Sequence, residues 1–499
     1  MAHVLVVGGG VSGLSAGIFA ALDGHRVTVC EQHHEPGGNL TGWHRGGFHI
    51  DNCIHWLTGT RRGSREYEMW EKLGALGAGV RTVQPKTLYT CEYDGESISL
   101  YPSIERTERE MLDASLKDKK QTRELISAVR AAARIMGVYG QNEGYGIWRR
   151  LCDAPILAKY CRMSTGKLAA KFKSELLRRF IISFFGEDFG AIALIVVFAT
   201  FATGNGAIPA GGSRAMARRM ADRLRALGGE LMLGKCVERI DVDRGRAVGV
   251  RLKGGERIAA DHIVIAAEPF SVFGRLVDIP LPNRLRRNEK SPRLRKFSSF
   301  HCAFGCSTDD IPFDGDLVLQ IPDEYRSVLN SDTLVLREFS HEPSFAHEGR
   351  AVVQAMIFCE EESSLEFIKL AECDGCEYKR LKDKLALTVE YLMTERFPEL
   401  RGRVRIIDSW TPATYKRYTG AISGSYMAYA LPPAFLPRAI SPRVPGVKNL
   451  FIASQWQRIP GGLPGAATSG RAAAQAISAR ERQTERSRGR IPRRAVAEK

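Results

Sequence analysis

Most of the features that would place this 499-residue chain at a glance are missing from it. No basic segment precedes the apolar run starting at Val4, so no secretory signal is read there. The longest apolar run, Ala191–Ala202, falls well short of the roughly twenty residues a membrane span requires. A cytoplasmic protein is therefore expected. The eleven cysteines are scattered, which fits a reducing compartment and excludes a disulfide scaffold. The one CxxC, Cys373 to Cys376, has no second pair at ligand spacing and reads as solvated thiols, so no metal is expected. A Ser/His/Asp signature, HExxH and a phosphate-binding Walker loop are all lacking, and no catalytic residue stands out.

Acidic residues are also in deficit, 56 against 72 basic, for a formal charge of +16. Much of the excess is concentrated. Residues 284–296, "RLRRNEKSPRLRK", hold seven basic residues and one acid, and residues 478–499 hold eight and three. These stretches read either as a solvated loop plus a disordered tail or as surfaces drawn to anionic lipid headgroups, giving peripheral membrane contact. Nucleic acid is not expected, since no binding motif and no aromatic interleaving accompanies the charge.

What is present is a pattern of alternating elements. Residues 3–31 read strand–helix–strand, and helical periodicity follows over 122–137 and 171–185. A helix over 213–227, a strand "ELMLG" and alternating runs to residue 267 restore β/α order. Short strands recur from 297 to 358, and a helix over 378–396 stops at Pro398. The chain ends in a strand over 449–453, a Gly-rich turn and an Ala-rich helix. The expected fold class is α/β, a Rossmann-type domain interrupted by a mixed α+β substrate domain. Boundaries are placed at 1–100, 205–280 and 411–478 for three parts of a cofactor domain, 101–204 for a helical lobe, 281–410 for a mixed lobe, and 479–499 for a disordered basic tail.

Chemistry concentrates at the N-terminus. Gly8, Gly10 and Gly13 in "VVGGGVSGL" form G-x-G-x-x-G between a strand and a helix, with Val11 and Ser12 at the helix start. The first glycine permits the turn, the second lets a pyrophosphate approach the backbone, and the third allows close packing. The helix N-terminus supplies N–H groups and a positive dipole end for an anion. Glu31, beside Gln32, closes the second strand, where an acid accepts from a ribose 2′-OH and repels a 2′-phosphate. Gly37, Gly38 and Asn39 bring backbone toward a diphosphate a second time, an extension suited to a flavin dinucleotide. A second G-x-G-x-x-G is absent, so a separate NAD(P)H domain is not expected.

With "GGGVSGL", Glu31, "PGGN", "GFHIDNCIHW", "IPAGGSRAMARRMADRLRALGGELMLGKCVERI" and "NLFIASQWQRIPGGLPGAATSGRAAAQAI" in place, the chain resembles the phytoene desaturase, carotenoid isomerase and retinol saturase branch of the FAD-dependent oxidoreductases. The similarity covers 3–60, 205–270 and 405–478. It implies a glutathione reductase-like, amine oxidase-like topology, with the C-terminal turn returning to the FAD domain. Gly462, Leu463, Pro464 and Ala466 would then lie against the ribityl chain and the flavin's pyrimidine edge. Gln455 stands where the family commonly has Asp, Ser454 replaces the usual Gly, and the Val237 backbone would meet adenine. No cysteine lies between Trp410 and Tyr429, so noncovalent FAD is expected. His55, Tyr418 and Tyr426 are candidates for the ring face.

The resemblance implies an FAD-dependent oxidoreductase desaturating or saturating carbon–carbon bonds of an apolar isoprenoid, polyene or lipid-like substrate. Three alternatives stay open: FAD-assisted double-bond isomerisation without net redox, amine oxidation, and non-enzymatic escort of lipidated partners. The intact glycine fingerprint counts against the last. Substrate identity, reaction direction, electron acceptor and oligomeric state are not readable from the residues.

Overall fold

The structure, a computed structural model, describes residues 1–136, 147–435, 438–487 and 489, with backbone alone for 147–152. Its centre is a five-stranded parallel sheet. Strand β1 (His3–Val7) has all five residues buried and lies between β2 (Arg26–Cys30) and the strand His262–Ile265. Glu230–Met232 extends the sheet beyond β2, and Leu450–Ile452 extends it beyond His262–Ile265. Numbered along the chain the order is 3-2-1-4-5, the order of a doubly wound dinucleotide fold. Helix α1 (Val11–Leu22) connects β1 to β2, and an antiparallel three-stranded sheet spanning 237–259 covers the other side.

The C-terminal helix, Gly462–Ser487, crosses α1 in backbone contact. A Cβ on Gly470 would lie 2.3 Å from the Ser12 carbonyl oxygen and 2.7 Å from the Ala16 nitrogen. Ala466, Ala467, Ala473 and Ala474 are buried on the same helix, and Ser15 Oγ donates to the Ala467 carbonyl at 2.7 Å. Small residues thus let two helices from opposite ends of the chain share one contact.

A seven-stranded sheet forms the second layer. Its order is Arg405–Trp410, Phe297–Ser307, Arg350–Glu360, Thr333–Glu338, Asp316–Gln320, Thr90–Tyr93, Glu96–Ser99. Alternation divides its faces. Phe300, Cys302, Phe304, Leu336, Ala355 and Ile357 pack in one cluster with Val389 and Met393 of the helix Gly375–Arg396. On the opposite face His301, Met356, Val335 and Val318 form one cross-strand row. Helices spanning 104–202 roof that face, and Ala191–Ala202 buries Leu194, Ile195 and Phe198 among them.

Four expectations change. Residues 90–99, placed in the cofactor domain, join the larger sheet, because Thr90 and Cys91 pair in parallel with Leu317 and Val318. The helix Asn283–Glu289, placed in the mixed lobe, buries Leu285 in the core beneath β1. The helix over 171–185 contracts to Glu175–Ile182: Asp118 accepts the Lys173 and Ser174 N–H groups, and Ser174 Oγ accepts from Leu177 as the cap. Residues 479–487, placed in a disordered tail, continue the last helix, and Glu481 Oε1 meets His262 Nε2 at 2.8 Å. Except for residue 489, the rest of that tail lies outside the described residues.

Replacing Gly470 by Val is expected to lower stability by about 1–3 kcal/mol through overpacking. The same measurement, urea unfolding, should move by less than about 0.5 kcal/mol for the exposed neighbour Gln475→Ala.

Candidate functional site

A cavity of about 1160 Å³ opens at the C-terminal ends of the parallel strands and extends over the apolar row of the large sheet. Of the residues singled out in the sequence as contacts for a dinucleotide, all line it except Gly13. Gly13 sits behind the wall: a Cβ there would lie 1.9 Å from the Gly8 carbonyl oxygen, so it sets how closely α1 approaches the β1 turn.

At the end near β2, Glu31 is buried and both its oxygens are engaged. Oε2 accepts from Gly9 N–H at 2.6 Å and Oε1 from His33 N–H at 2.9 Å. Each oxygen keeps a lone pair for a further donor. Gly37 N–H donates to the Gly9 carbonyl at 2.9 Å, which sets the Gly37–Gly38 turn against Gly10. Gly37 has φ +120°, and a Cβ there would lie 2.2 Å from the Leu40 carbonyl oxygen. Arg218 and Arg214 both grip Glu35 Oε1 at 2.8 Å and hold its carboxyl down at about 2, tying this loop to the helix Gly212–Ala226. Val237 borders the same end from the antiparallel sheet.

At the other side of the turn the C-terminal helix begins. Gln455 Oε1 accepts from Gly462 N–H at 3.1 Å, and Asn39 Nδ2 donates to the Tyr426 carbonyl at 3.2 Å. The first turn leaves the Leu463 N–H without an intrahelical acceptor, while Pro464 has none to offer. His55 and Tyr426 reach the cavity interior here. Tyr418 does not join them. The helix Pro412–Thr419 ends at Gly420 with φ +72°, and Tyr418 in its last turn is 50 % exposed, stacked on His33 at 4.7 Å at the rim near Glu31.

The far half of the cavity was not legible residue by residue. Its wall is a run of touching rings: Trp56–Phe184, Phe184–Phe185, Phe185–Phe189, Phe189–Phe297 and Phe297–Tyr426, with centroids 4.6–5.6 Å apart. Ile192 and Val196 add an aliphatic side from the helix Ala191–Ala202. That helix is apolar all round because one face meets the core and the other the cavity. Alternation within the strands was the available signal, but it does not say which face meets a ligand.

Charges in this wall are matched. Asp316 and Arg337 form a buried bidentate pair between adjacent strands. Lys296 meets Glu361 at 2.9 Å, and Ser423 Oγ donates to the same carboxylate at 2.8 Å. Burial, reinforced by Arg337, pushes His301 down to about 3; its Nε2 meets Ser299 Oγ at 2.6 Å and its ring lies parallel to Trp410. Burial also drives His55 well below the usual imidazole range. Glu268, which accepts from Trp456 Nε1 at 2.8 Å, is pushed up to about 8 by burial and is a neutral acid at pH 7.

The depressed His301 sets a pH dependence. Unfolded, this imidazole takes up a proton below about pH 6.5, whereas folded it stays neutral down to about 3. Its stabilisation is present above pH 6.5 and is lost progressively as pH falls through that window. His301→Gln should therefore flatten the dependence of unfolding free energy on pH by nearly one proton between pH 6 and 4, measured by urea titration.

The model of the family described as flavin containing amine oxidoreductase matches residues 11–303. Prolycopene isomerase 1 from an Oncidium hybrid cultivar, described as chloroplastic, is 25% identical over 457 residues, 85% of this chain and 74% of its own. All-trans-zeta-carotene desaturase from Myxococcus xanthus is 30% identical over 343 residues, 61% of this chain and 60% of its own. Among solved structures, an oxidoreductase from Methanosarcina mazei aligns with TM-score 0.60 at 15% identity, covering 95% of this chain and 99% of that one. A putrescine oxidase variant aligns at 0.57 and 16% identity, covering 96% and 99%. With a sheet order and family match of this extent, the chain belongs to the flavin containing amine oxidoreductases and is an FAD-dependent oxidoreductase.

Proposed function

We propose that the enzyme changes the saturation of carbon–carbon bonds in an elongated apolar polyene, with FAD held noncovalently along the near half of the cavity. Glu31 would accept from the adenosine ribose, and the Val237 backbone would border adenine. Gly8, Gly10, Val11 and Ser12 would face the pyrophosphate with Gly37, Gly38 and Asn39 opposite, and Gln32 would close the nucleotide end. Gln455, Gly462, Leu463, Pro464 and Ala466 would take the redox-active end. The cradle suits such a group: it is tight enough that added Cβ atoms at Gly37 and Gly461 would strike the backbone, and Glu31 retains acceptor capacity.

When bound, FAD supplies two-electron redox chemistry that no side chain in the cavity offers. The chain's own part is placement and exclusion of water. The open N–H of Leu463, with the positive end of the helix dipole, favours negative charge beside it. His55 and His301 are neutral and move no net charge into the wall.

The observation that carries the substrate class is the continuous aromatic wall from Trp56 to Tyr426. A polyene gains by stacking along it. A cationic amine would need a buried carboxylate with capacity to spare beside that wall, and Asp316 there is already held by Arg337. The relatives named as an isomerase and a desaturase both act, by their names, on polyenes. Isomerisation on the same wall is the second reading, supported by the 85% coverage of the isomerase match.

Two measurements test this. Anaerobic addition of a C40 polyene should bleach the oxidised flavin absorbance and yield a product two hydrogens lighter; unchanged mass supports the isomerase, and response to amines alone overturns both. Glu31→Ala should weaken FAD binding about 10- to 100-fold, the effect of losing a charged hydrogen-bond acceptor, read by fluorescence titration of apoprotein.

A further inference from the structure

The aromatic wall turns polar at its inner end. Tyr426 closes the run of rings, Tyr415 lies 5.8 Å beyond it, and His301 lies 6.4 Å beyond Tyr415, measured between ring centroids. Register brings these groups together. His301 faces Met356 across one pair of strands, and Arg337 faces Gln354 two residues along, so both stand on the cavity side of the large sheet. Gln354 Nε2 also donates to the Asp51 carbonyl at 2.9 Å, which lays the following residues over that side. His55 is thereby held within electrostatic reach of His301 and Arg337. His55, His301, Tyr415 and Tyr426 all line the cavity.

Some of the polar atoms here are answered within the protein. His301 Nε2 meets Ser299 Oγ, and Tyr415 Oη accepts from Trp410 Nε1 at 3.1 Å. Others are not: both ring nitrogens of His55 and the Tyr426 hydroxyl make no hydrogen bond among the described residues. The Tyr429 hydroxyl is also unpaired, but it is enclosed in the core, whereas His55 and Tyr426 border the cavity. Burial drives His55 well below the imidazole range and Tyr426 well above the phenol range, so each is an uncharged donor at pH 7. Packed against bare hydrocarbon, both groups lose water and gain no partner, a penalty that an oxygen on the ligand removes.

The neighbouring charges narrow the kind of oxygen. Arg337 and Asp316 cancel one another as a buried bidentate pair, and Asp316 itself lines the cavity. A carboxylate would be repelled by Asp316, so a neutral oxygen suits the patch best. Its place along the cavity is also fixed. Asn39 Nδ2 donates to the Tyr426 carbonyl at 3.2 Å, which ties Tyr426 to the Gly37–Gly38 turn, where the cofactor cradle meets the wall.

We propose that Tyr426 and His55 bind a carbonyl or hydroxyl oxygen on the substrate. The substrate is then an oxygenated polyene whose polar end lies innermost, beside the cradle, with its hydrocarbon along the wall toward Trp56. This rests on the polyene reading of the cavity, but binding is measured without turnover. The FAD-loaded protein is mixed in one detergent with an acyclic C40 polyene, its terminal ketone or its terminal carboxylate, and protein-bound polyene is quantified after rapid gel filtration and extraction. Comparing each polyene between wild type and variant cancels its own solubility. The variant H55L/Y426F should lose about 10- to 100-fold in ketone affinity, the effect of two buried hydrogen bonds, and hold the hydrocarbon as well as wild type does. Tyr426→Phe, which removes a single oxygen atom, should by itself lose about 3- to 10-fold for the ketone. FAD affinity, titrated by fluorescence on apoprotein, and circular dichroism should match wild type in both variants. Equal loss for ketone and hydrocarbon, weakened FAD with ketone affinity intact, or tightest wild-type binding of the carboxylate overturns the proposal. Hydrocarbon turnover without ketone selectivity would sink the oxygen site and leave the polyene reading standing. Ketone selectivity with no change in any carbon–carbon bond would do the reverse.

Discussion

Backbone contact between α1 and the C-terminal helix is the constraint from which the site follows. Gly470 has no room for a side chain against Ser12, and Ser15 bonds the Ala467 carbonyl across the same crossing. That contact seats the start of the last helix beside the β1 turn although more than four hundred residues separate them. Two helix N-termini consequently open into one cavity, one flanked by Glu31 and one by Gln455. Their dipoles favour negative charge at both places.

Beyond that cradle, the large sheet treats polar groups economically. Its cavity face places Met356, Val335 and Val318 in a row, and where charge occurs it is answered within the wall, Arg337 by Asp316 and Lys296 by Glu361. A buried pair of this kind adds little net stability over apolar residues of similar volume, but an unpaired charge would be costly. The consequence for function is a surface that offers rings and aliphatic carbon to a ligand while keeping its charges occupied. At the outer edge the economy reverses, and Arg284, Arg286, Arg287, Lys290 and Arg293 are left unanswered in solvent.

Several features of this arrangement are written locally in the chain. The β1 turn, α1, Glu31 and the Gly37–Gly38 doublet depend on neighbours within forty residues, so periodicity and glycine placement suffice to read them. Tyr418 shows where such reading stops. Its position near Tyr426 in sequence suggests a shared face, yet Gly420 ends the helix between them and leaves Tyr418 on the rim. The strands at 90–99 behave similarly: their alternation is visible, but their partners at 317–318 lie over two hundred residues away.

By itself the sequence determined the dinucleotide fingerprint, the alternating βα order and the return of a Gly-rich turn at the C-terminus, because each rests on backbone geometry and spacing within one element. Only the tertiary structure decided which side of an apolar helix lines the cavity and which cations find acids. Those outcomes depend on pairings between residues far apart in the chain, and pattern along one strand or helix carries no record of what packs against it.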